Sequence, residues 1–157
     1  MEKPAIYIET SIISYFVARP SRDLIVAAHQ QLTTEWWRER SGDYDLFISQ
    51  IVIDEARAGE PEMAAKRTAL IEGLPLLEIN EDVTHLAEAL VKSRAVPKKA
   101  AADALHISVA CVGRVDYLLT WNCKHIANAK MRSAIEKTCR SAGYATPIIC
   151  TPEELED

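Results

Sequence analysis

At 157 residues, with 48% hydrophobic and 26% charged residues, the chain has the size and composition of one folded domain spanning 1–157, which excludes a disordered polypeptide. No run approaches the roughly 18 uncharged apolar residues of a membrane span, and Met1-Glu2-Lys3-Pro4 leads into a short apolar run without the layout of a signal peptide, so a cytoplasmic protein is expected. The formal charge of −5, from 18 Lys and Arg against 23 Asp and Glu, argues against a general footprint-covering DNA binder; a nucleic-acid substrate would need a local basic rim, bound metal, or both.

In chain order, Ala5-Ile6-Tyr7-Ile8 is a β-favouring apolar run between Pro4 and the polar Glu9-Thr10-Ser11, and predicts a buried strand feeding directly into a helix. Thr10 or Ser11 is the expected cap of that helix, with Ile12 to Val17 as its body. Pro20 marks a break, after which Ser21 can cap a longer helix with Asp23 in its first turn. Leu24, Ala28, Leu32 and Trp36 repeat every four residues and should share one buried face, the helix ending near Arg40. Leu46-Phe47-Ile48 reads as a second strand, with Ser49 capping a helix from Ile51 to Ala58. After Gly59 and Pro61 a helix resumes through Ile71. Leu74 to Ile79 is a third strand candidate, and Asn80 caps a helix carrying Val83, Leu86, Ala87 and Leu90. Beyond a turn at Arg94 to Pro97, Lys98 to Val112 is an alanine-rich helix. Tyr117-Leu118-Leu119 is a fourth strand with Thr120-Trp121-Asn122 at its carboxyl edge, Ala129 to Arg140 a helix, and Pro147 to Cys150 a fifth strand candidate. Apolar strands separated by helices imply an α/β fold with a mostly parallel sheet covered on both faces, whose ligands sit beyond the carboxyl ends of the strands.

Four polar residues fall where such a fold presents its working edge. Glu9 follows the first strand and Asn122 the fourth, Glu55 lies on the short helix after the second strand, and Asp103 lies near the start of the alanine-rich helix. Carboxylates brought together repel, by about 3 kcal/mol per pair at ~5 Å and an effective dielectric of ~20. Mg²⁺ or Mn²⁺ relieves that repulsion and takes such oxygen ligands, then holds a phosphate oxygen, orients a water and stabilises the leaving oxygen. Taken singly, each acid is explained as well by a helix cap or a solvated surface. Asp103 resists that reading best, because it stands between Ala100-Ala101-Ala102 and Ala104-Leu105, where a buried acid needs a partner.

Three segments resemble the PIN-domain family, specifically VapC-like toxins of bacterial toxin–antitoxin pairs: Ile6-Tyr7-Ile8-Glu9-Thr10-Ser11 with Ile12-Ile13-Ser14, Asp103-Ala104-Leu105-His106-Ile107-Ser108-Val109-Ala110, and Tyr117-Leu118-Leu119-Thr120-Trp121-Asn122. The middle segment is the most specific. The resemblance implies a PIN-like three-layer α/β/α fold and a Mg²⁺- or Mn²⁺-dependent endoribonuclease, with RNA as substrate, a cognate antitoxin as partner and a homodimer as assembly. It assigns the catalytic, metal-holding positions to Glu9, Glu55, Asp103 and Asn122. Two positions depart from the family pattern, where Asp is usual: Glu9 is one methylene longer, and Asn122 is neutral. Weaker metal affinity and one well-held metal are the implied consequence, and a catalytically weakened RNA- or protein-binding module is the alternative.

Around these positions, Thr10 and Ser11 fit a helix cap as well as contacts to metal ligands or phosphate. Thr120 resembles the family's hydroxyl residue beside the fourth position, and His125 is a candidate for substrate contact. His106 reads as a structural, hydrogen-bonded histidine in preference to a site residue. Asp116 lies at the amino end of the fourth strand, the wrong end for the site, and Asp54 points about 100° away from Glu55 on a helix. Lys98, Lys99, Lys124, Lys130 and Arg94 can form the basic rim or a solvated surface. Of the consecutive Trp36 and Trp37, one should enter the core. Surplus apolar residues on the Ser21 to Arg40 helix, with Ile13, Tyr15, Phe16 and Val17 before it, point to a homodimer surface. Cys111, Cys123, Cys139 and Cys150, with no Cys-x-x-Cys, read as free thiols. A receiver-like signalling domain would need an acid pair after the first strand, and a nucleotide-binding enzyme a Gly-rich loop after Ile8; neither is present.

Overall fold

The computed structural model describes residues 2–156. Four parallel strands, β1 (Ala5–Ile8), β2 (Asp45–Phe47), β3 (Tyr117–Leu119) and β4 (Ile148–Cys150), form one sheet in the order β2-β1-β3-β4. Seven helices connect them among the described residues: α1 (Thr10–Val17), α2 (Leu24–Glu39), α3 (Gln50–Ala56), α4 (Pro61–Ile71), α5 (Glu81–Lys92), α6 (Ala101–Val112) and α7 (Ala129–Ser141).

Sheet order fixes the layers. The chain leaves β1 for β2 on one side, then crosses back over β1 to reach β3 and β4 on the other. Right-handed crossovers therefore put α1 and α2 on one face and α5, α6 and α7 on the opposite face. The observed packing agrees, with α1 against α2, α3 and α4, and α5 against α6 and α7. This is the α/β/α arrangement expected from the sequence. The central strands β1 and β3 are covered on both sides: Ile6, Tyr7, Ile8, Leu118 and Leu119 are fully buried, as are Ile107 and Val109 of α6 and Ile12 and Ile13 of α1. Removing an aliphatic side chain of this kind costs about 2–5 kcal/mol when the site cannot collapse.

Three expectations need correction. The segment 74–79 is not a strand: Leu76 makes a single parallel bridge to Ile48, flanked by Ile48 N–H to Pro75 O and Leu77 N–H to Ile48 O. Pro75 has no N–H to extend the ladder, so pairing stops after one residue. The cap of α1 is Glu9 rather than Thr10 or Ser11, and the cap of α2 is Asp23 rather than Ser21. Asp23 Oδ1 takes the N–H groups of Ile25 and Val26, which shortens α2 at its start. Finally, the stripe on α2 is only half buried. Trp36 is fully enclosed, but Leu24 is 86% exposed and Ala28 lies in solvent, because the first turns of α2 extend past the elements that cover its C-terminal half.

The other sequence features settle simply. Asn80 caps α5 by accepting from Val83 N–H at 3.0 Å. Trp36 is buried, and Trp37 is half-buried against Phe16. All four cysteines are free, with Cys111 and Cys139 in contact at 3.4 Å between their sulfurs. Among the described residues, no helix is long and apolar enough to cross a membrane.

Candidate functional site

The strand order reverses between β1 and β3, and the crevice beyond their carboxyl ends is the expected ligand position in a sheet of this type. Glu9, the residue after β1, and Thr120, the residue after β3, meet there, with Thr120 Oγ1 donating to Glu9 Oε1 at 2.5 Å. Glu9 is both the residue after β1 and the N-cap of α1. Its carboxylate therefore curls onto the positive helix end, accepting from Ser11 N–H at 3.1 Å and from Ser11 Oγ. It is 6% exposed, so this acid is held inside the protein by neutral donors. Ser11 Oγ in turn accepts from Trp121 N–H at 2.8 Å, tying α1 to the end of β3. Trp121 is anchored from outside by a stack with His29, ring centroids 4.1 Å apart, and by its indole N–H to Thr33 Oγ1 at 2.6 Å.

With Glu9 as the cap, Thr10 is free to reach across to α3, donating to Glu55 Oε1 at 2.6 Å. His106 of α6 approaches the same oxygen through Nε2, also at 2.6 Å. Burial alone would raise the Glu55 carboxyl above the usual range, but the His106 hydrogen bond and charge, with the Thr10 hydroxyl, outweigh it and hold the carboxyl below that range. An ionised carboxylate only accepts, so Nε2 carries the proton in this contact. The other nitrogen of His106, Nδ1, lies 2.7 Å from the Tyr7 hydroxyl, which lies 2.8 Å from Ser49 Oγ. Tyr7 and Ser49 are fully buried, and burial pushes the Tyr7 phenol far above its ordinary value, so it stays a neutral hydroxyl. Ser49 precedes α3 but uses its side chain on Tyr7 instead of capping the helix.

Glu9, Glu55 and His106 each present one donor atom within 4.8 Å of the others, close enough to share one cation. The two oxygens and one imidazole nitrogen fit a divalent first-row ion, and the oxygens alone suit Mg²⁺.

Asp103 and Asn122 form the neighbouring part of the crevice. Asn122 Nδ2 donates to Asp103 Oδ1 at 3.0 Å, and His125 Nδ1 lies 3.1 Å from Asp103 Oδ2. Asn122 Oδ1 accepts from His125 N–H at 3.0 Å, so the Asn122 side chain is used at both ends. Thr120 joins the two parts: while donating to Glu9, its Oγ1 accepts from Asn122 N–H at 2.9 Å. Hydrogen bonds thus run from Glu9 through Thr120 to Asn122, Asp103 and His125, and Glu55 joins them through Thr10, the residue that follows Glu9 in the chain.

All eight positions singled out from the sequence, namely Glu9, Thr10, Ser11, Glu55, Asp103, Thr120, Asn122 and His125, lie in this network. They fall into two clusters: Glu9 and Glu55 come together with His106, while Asp103 and Asn122 come together with His125. His106 is the residue that the sequence reading set aside. It is hydrogen-bonded at both nitrogens, as expected of a structural histidine, yet one of those bonds is to a clustered carboxylate. Its spacing three residues after Asp103 was the available signal. Asp54 bonds Gln50 on the exposed side of α3, and Asp116 accepts from Ala5 N–H at 2.8 Å at the opposite end of the sheet; both stand outside the site. Lys98, Lys99, Lys124 and Lys130 are exposed.

No protein-family model matches the sequence, and no curated protein matches it. Among solved structures, the chain is similar to VapBC2 from Rickettsia felis, determined bound to a DNA fragment from their promoter, with a TM-score of 0.61 and 15% identity over 94% of this chain and 98% of the matched one. At that identity the likeness is one of fold, and the fold of this chain is PIN/VapC-like.

Proposed function

We propose that the protein is a metal-dependent endoribonuclease of the PIN-like toxin type, hydrolysing RNA phosphodiester bonds with Mg²⁺ or Mn²⁺. The observation that supports this reading is that Glu9 and Glu55, from separate segments, come together beside His106 beyond the carboxyl end of β1, while Asp103 stands in a neighbouring cluster linked to Glu9 through Asn122 and Thr120. In this reading Glu9, Glu55, Asp103 and Asn122 hold the cation, which when bound supplies charge for the phosphate and leaving oxygens and lowers the pKa of a water. Thr120, Ser11 and Thr10 orient the carboxylates. The exposed Lys124 and the half-buried His125, two and three residues past Asn122, would meet a phosphate backbone in this reading. Such a rim compensates locally for the net charge of −5.

A cognate antitoxin is the proposed protein partner, by analogy with the similar fold of VapBC2. A homodimer is proposed through the start of α2, where Leu24 and Ile25 are 86% and 70% exposed. Sedimentation at micromolar concentration should give twice the 17.5 kDa chain mass; a stable monomer would sink the dimer. One observation favours the second reading, a PIN-like module with weakened or lost catalysis: the neutral Asn122 has both side-chain atoms committed to Asp103 and the backbone of His125. The deciding assay is cleavage of single-stranded RNA after chelation and after adding back Mg²⁺ or Mn²⁺. Activity lost with EDTA and restored by either ion supports the nuclease, whereas metal binding without cleavage of any RNA supports the module.

A further inference from the structure

Resting on the metal-dependent reading above, we propose that His106 is itself a metal ligand through Nε2, and that this nitrogen makes the centre select Mn²⁺ over Mg²⁺. Three features of the structure carry the assignment. His106 Nε2 and Glu55 Oε1 are 2.6 Å apart and share a proton, while Glu9 completes a triplet of donor atoms within 4.8 Å of one another. Neighbouring ligands on an octahedral ion with bonds of about 2.1 Å lie roughly 3 Å apart. A cation taking the place of that proton therefore needs only a few tenths of an ångström of extra room between the two side chains.

The surroundings of the ring supply the second feature. A metal-bound imidazole almost always donates its other N–H to an acceptor, which fixes the tautomer. Here Nδ1 faces the Tyr7 hydroxyl at 2.7 Å, and that hydroxyl faces Ser49 Oγ at 2.8 Å. Hydroxyls both donate and accept, so Tyr7 can donate to a bare Nδ1 or accept from Nδ1–H by rotating its proton toward Ser49. The ring can thus offer either N–H or a lone pair at Nε2 without leaving Nδ1 unpaired. A histidine tied at Nδ1 to a backbone carbonyl has no such freedom.

The third feature is access. The His106 side chain is 1% exposed and Glu9 is 6% exposed, but the Glu55 side chain is 38% exposed and forms the open wall of the cluster. A cation can enter past Glu55 and meet a nitrogen already fixed at the back. Mn²⁺ favours oxygen ligands much as Mg²⁺ does, but as a first-row transition ion it is the softer of the two and takes an imidazole nitrogen more readily, so the nitrogen tilts selection between these two ions toward Mn²⁺.

The test is direct. Mn²⁺ alone is added to the metal-free full-length protein, and pulsed EPR is read for coupling to an imidazole ¹⁴N; calorimetry then compares Mn²⁺ and Mg²⁺ in wild type and in H106Q, whose amide can still donate to Glu55. The expected result is imidazole coupling in wild type that vanishes in H106Q, with Mn²⁺ affinity falling about 10- to 100-fold and Mg²⁺ affinity nearly unchanged. Bound Mn²⁺ without imidazole coupling in wild type would overturn the proposal, and needs no variant to fold. Coupling that survives in H106Q but is lost in H125Q would also overturn it, moving the nitrogen ligand to the Asp103 side. Equal weakening of both ions in H106Q would make His106 a positioning residue for Glu55 only. Failure of wild type to bind either ion would instead remove the metal-dependent reading beneath it.

Discussion

Glu9 and Asp103 stand in the same crevice, yet the protein holds them by opposite means. Glu9 is buried and grips the start of its own helix, so three donors from α1 and β3 converge on one carboxylate. Asp103 has a side chain 19% exposed and faces two residues of a loop, Asn122 and His125, through one bond each. Glu9 is therefore part of what joins β1, α1 and β3, whereas Asp103 is suspended from α6 over the loop that follows β3. One acid is built into the framework of the fold and the other is hung on it. A side chain that serves both architecture and chemistry cannot be removed for one purpose alone, and this makes the two acids a useful pair to set against each other.

The largest contrast should come from Glu9→Ala and Asp103→Asn. Both should reduce RNA cleavage by at least about a hundredfold, since loss of an outer support for a metal ligand already costs 10–100-fold. Stability should separate them. Glu9→Ala leaves the Ser11 and Thr120 donors without their acceptor in the interior, which should cost about 2–3 kcal/mol, or roughly 5–10 °C in Tm for a domain of this size. Asp103→Asn should stay within about 0.5 kcal/mol of wild type. The new amide oxygen can accept from Asn122, and its NH₂ can donate to a His125 tautomer with a bare Nδ1. Thermal melts in EDTA alongside the cleavage assay measure both. Equal destabilisation of the two variants would break the distinction drawn between them.

How much of this was legible in the sequence follows the same division. Glu9 was readable because its position is set locally: an apolar run ending at Ile8 and a helix beginning at once leave an acid at a strand end. The sheet was readable for a similar reason, since Ile6 to Ile8, Leu118 and Leu119 are continuous apolar runs of the kind that two covered faces require. What depended on contacts between distant elements was less so. Asp103 and His106 are three residues apart on α6, yet one turns to Asn122 and His125 and the other to Glu55 and Tyr7. Helical spacing puts them on adjoining parts of one face and says nothing about which neighbour each meets. The stripe on α2 failed in the same way. Periodicity identified the face shared by Leu24 and Trp36, but only a packed neighbour decides that Trp36 is enclosed while Leu24 is not. The segment 74–79 had the apolar content of a strand, and Pro75 limited it to one bridge.

The finest test of the comparison is Asn122→Asp, which supplies the formal charge that the family pattern carries at this position. In the present structure Asn122 Nδ2 donates to Asp103 Oδ1 at 3.0 Å. The substitution replaces that donor with a second carboxylate at the same distance, so a hydrogen bond becomes a repulsion. Screening by solvent softens it, because Asp103 and residue 122 are both partly exposed. The expected cost in the metal-free protein is about 1–2 kcal/mol, or roughly 2–6 °C in Tm. A divalent ion shared by the two carboxylates relieves the repulsion, so added Mg²⁺ should raise the Tm of this variant by more than it raises that of wild type, and calorimetry should show tighter binding. The Glu9 side of the crevice gains no charge in this experiment and serves as the internal control. If Mg²⁺ stabilises wild type and variant equally while the metal-free variant melts lower, the cation is held on the side of Glu9, Glu55 and His106, and residue 122 lies beyond its reach. If the variant gains affinity, the two clusters act on one cation, and Thr120 joins them for chemistry as well as for structure.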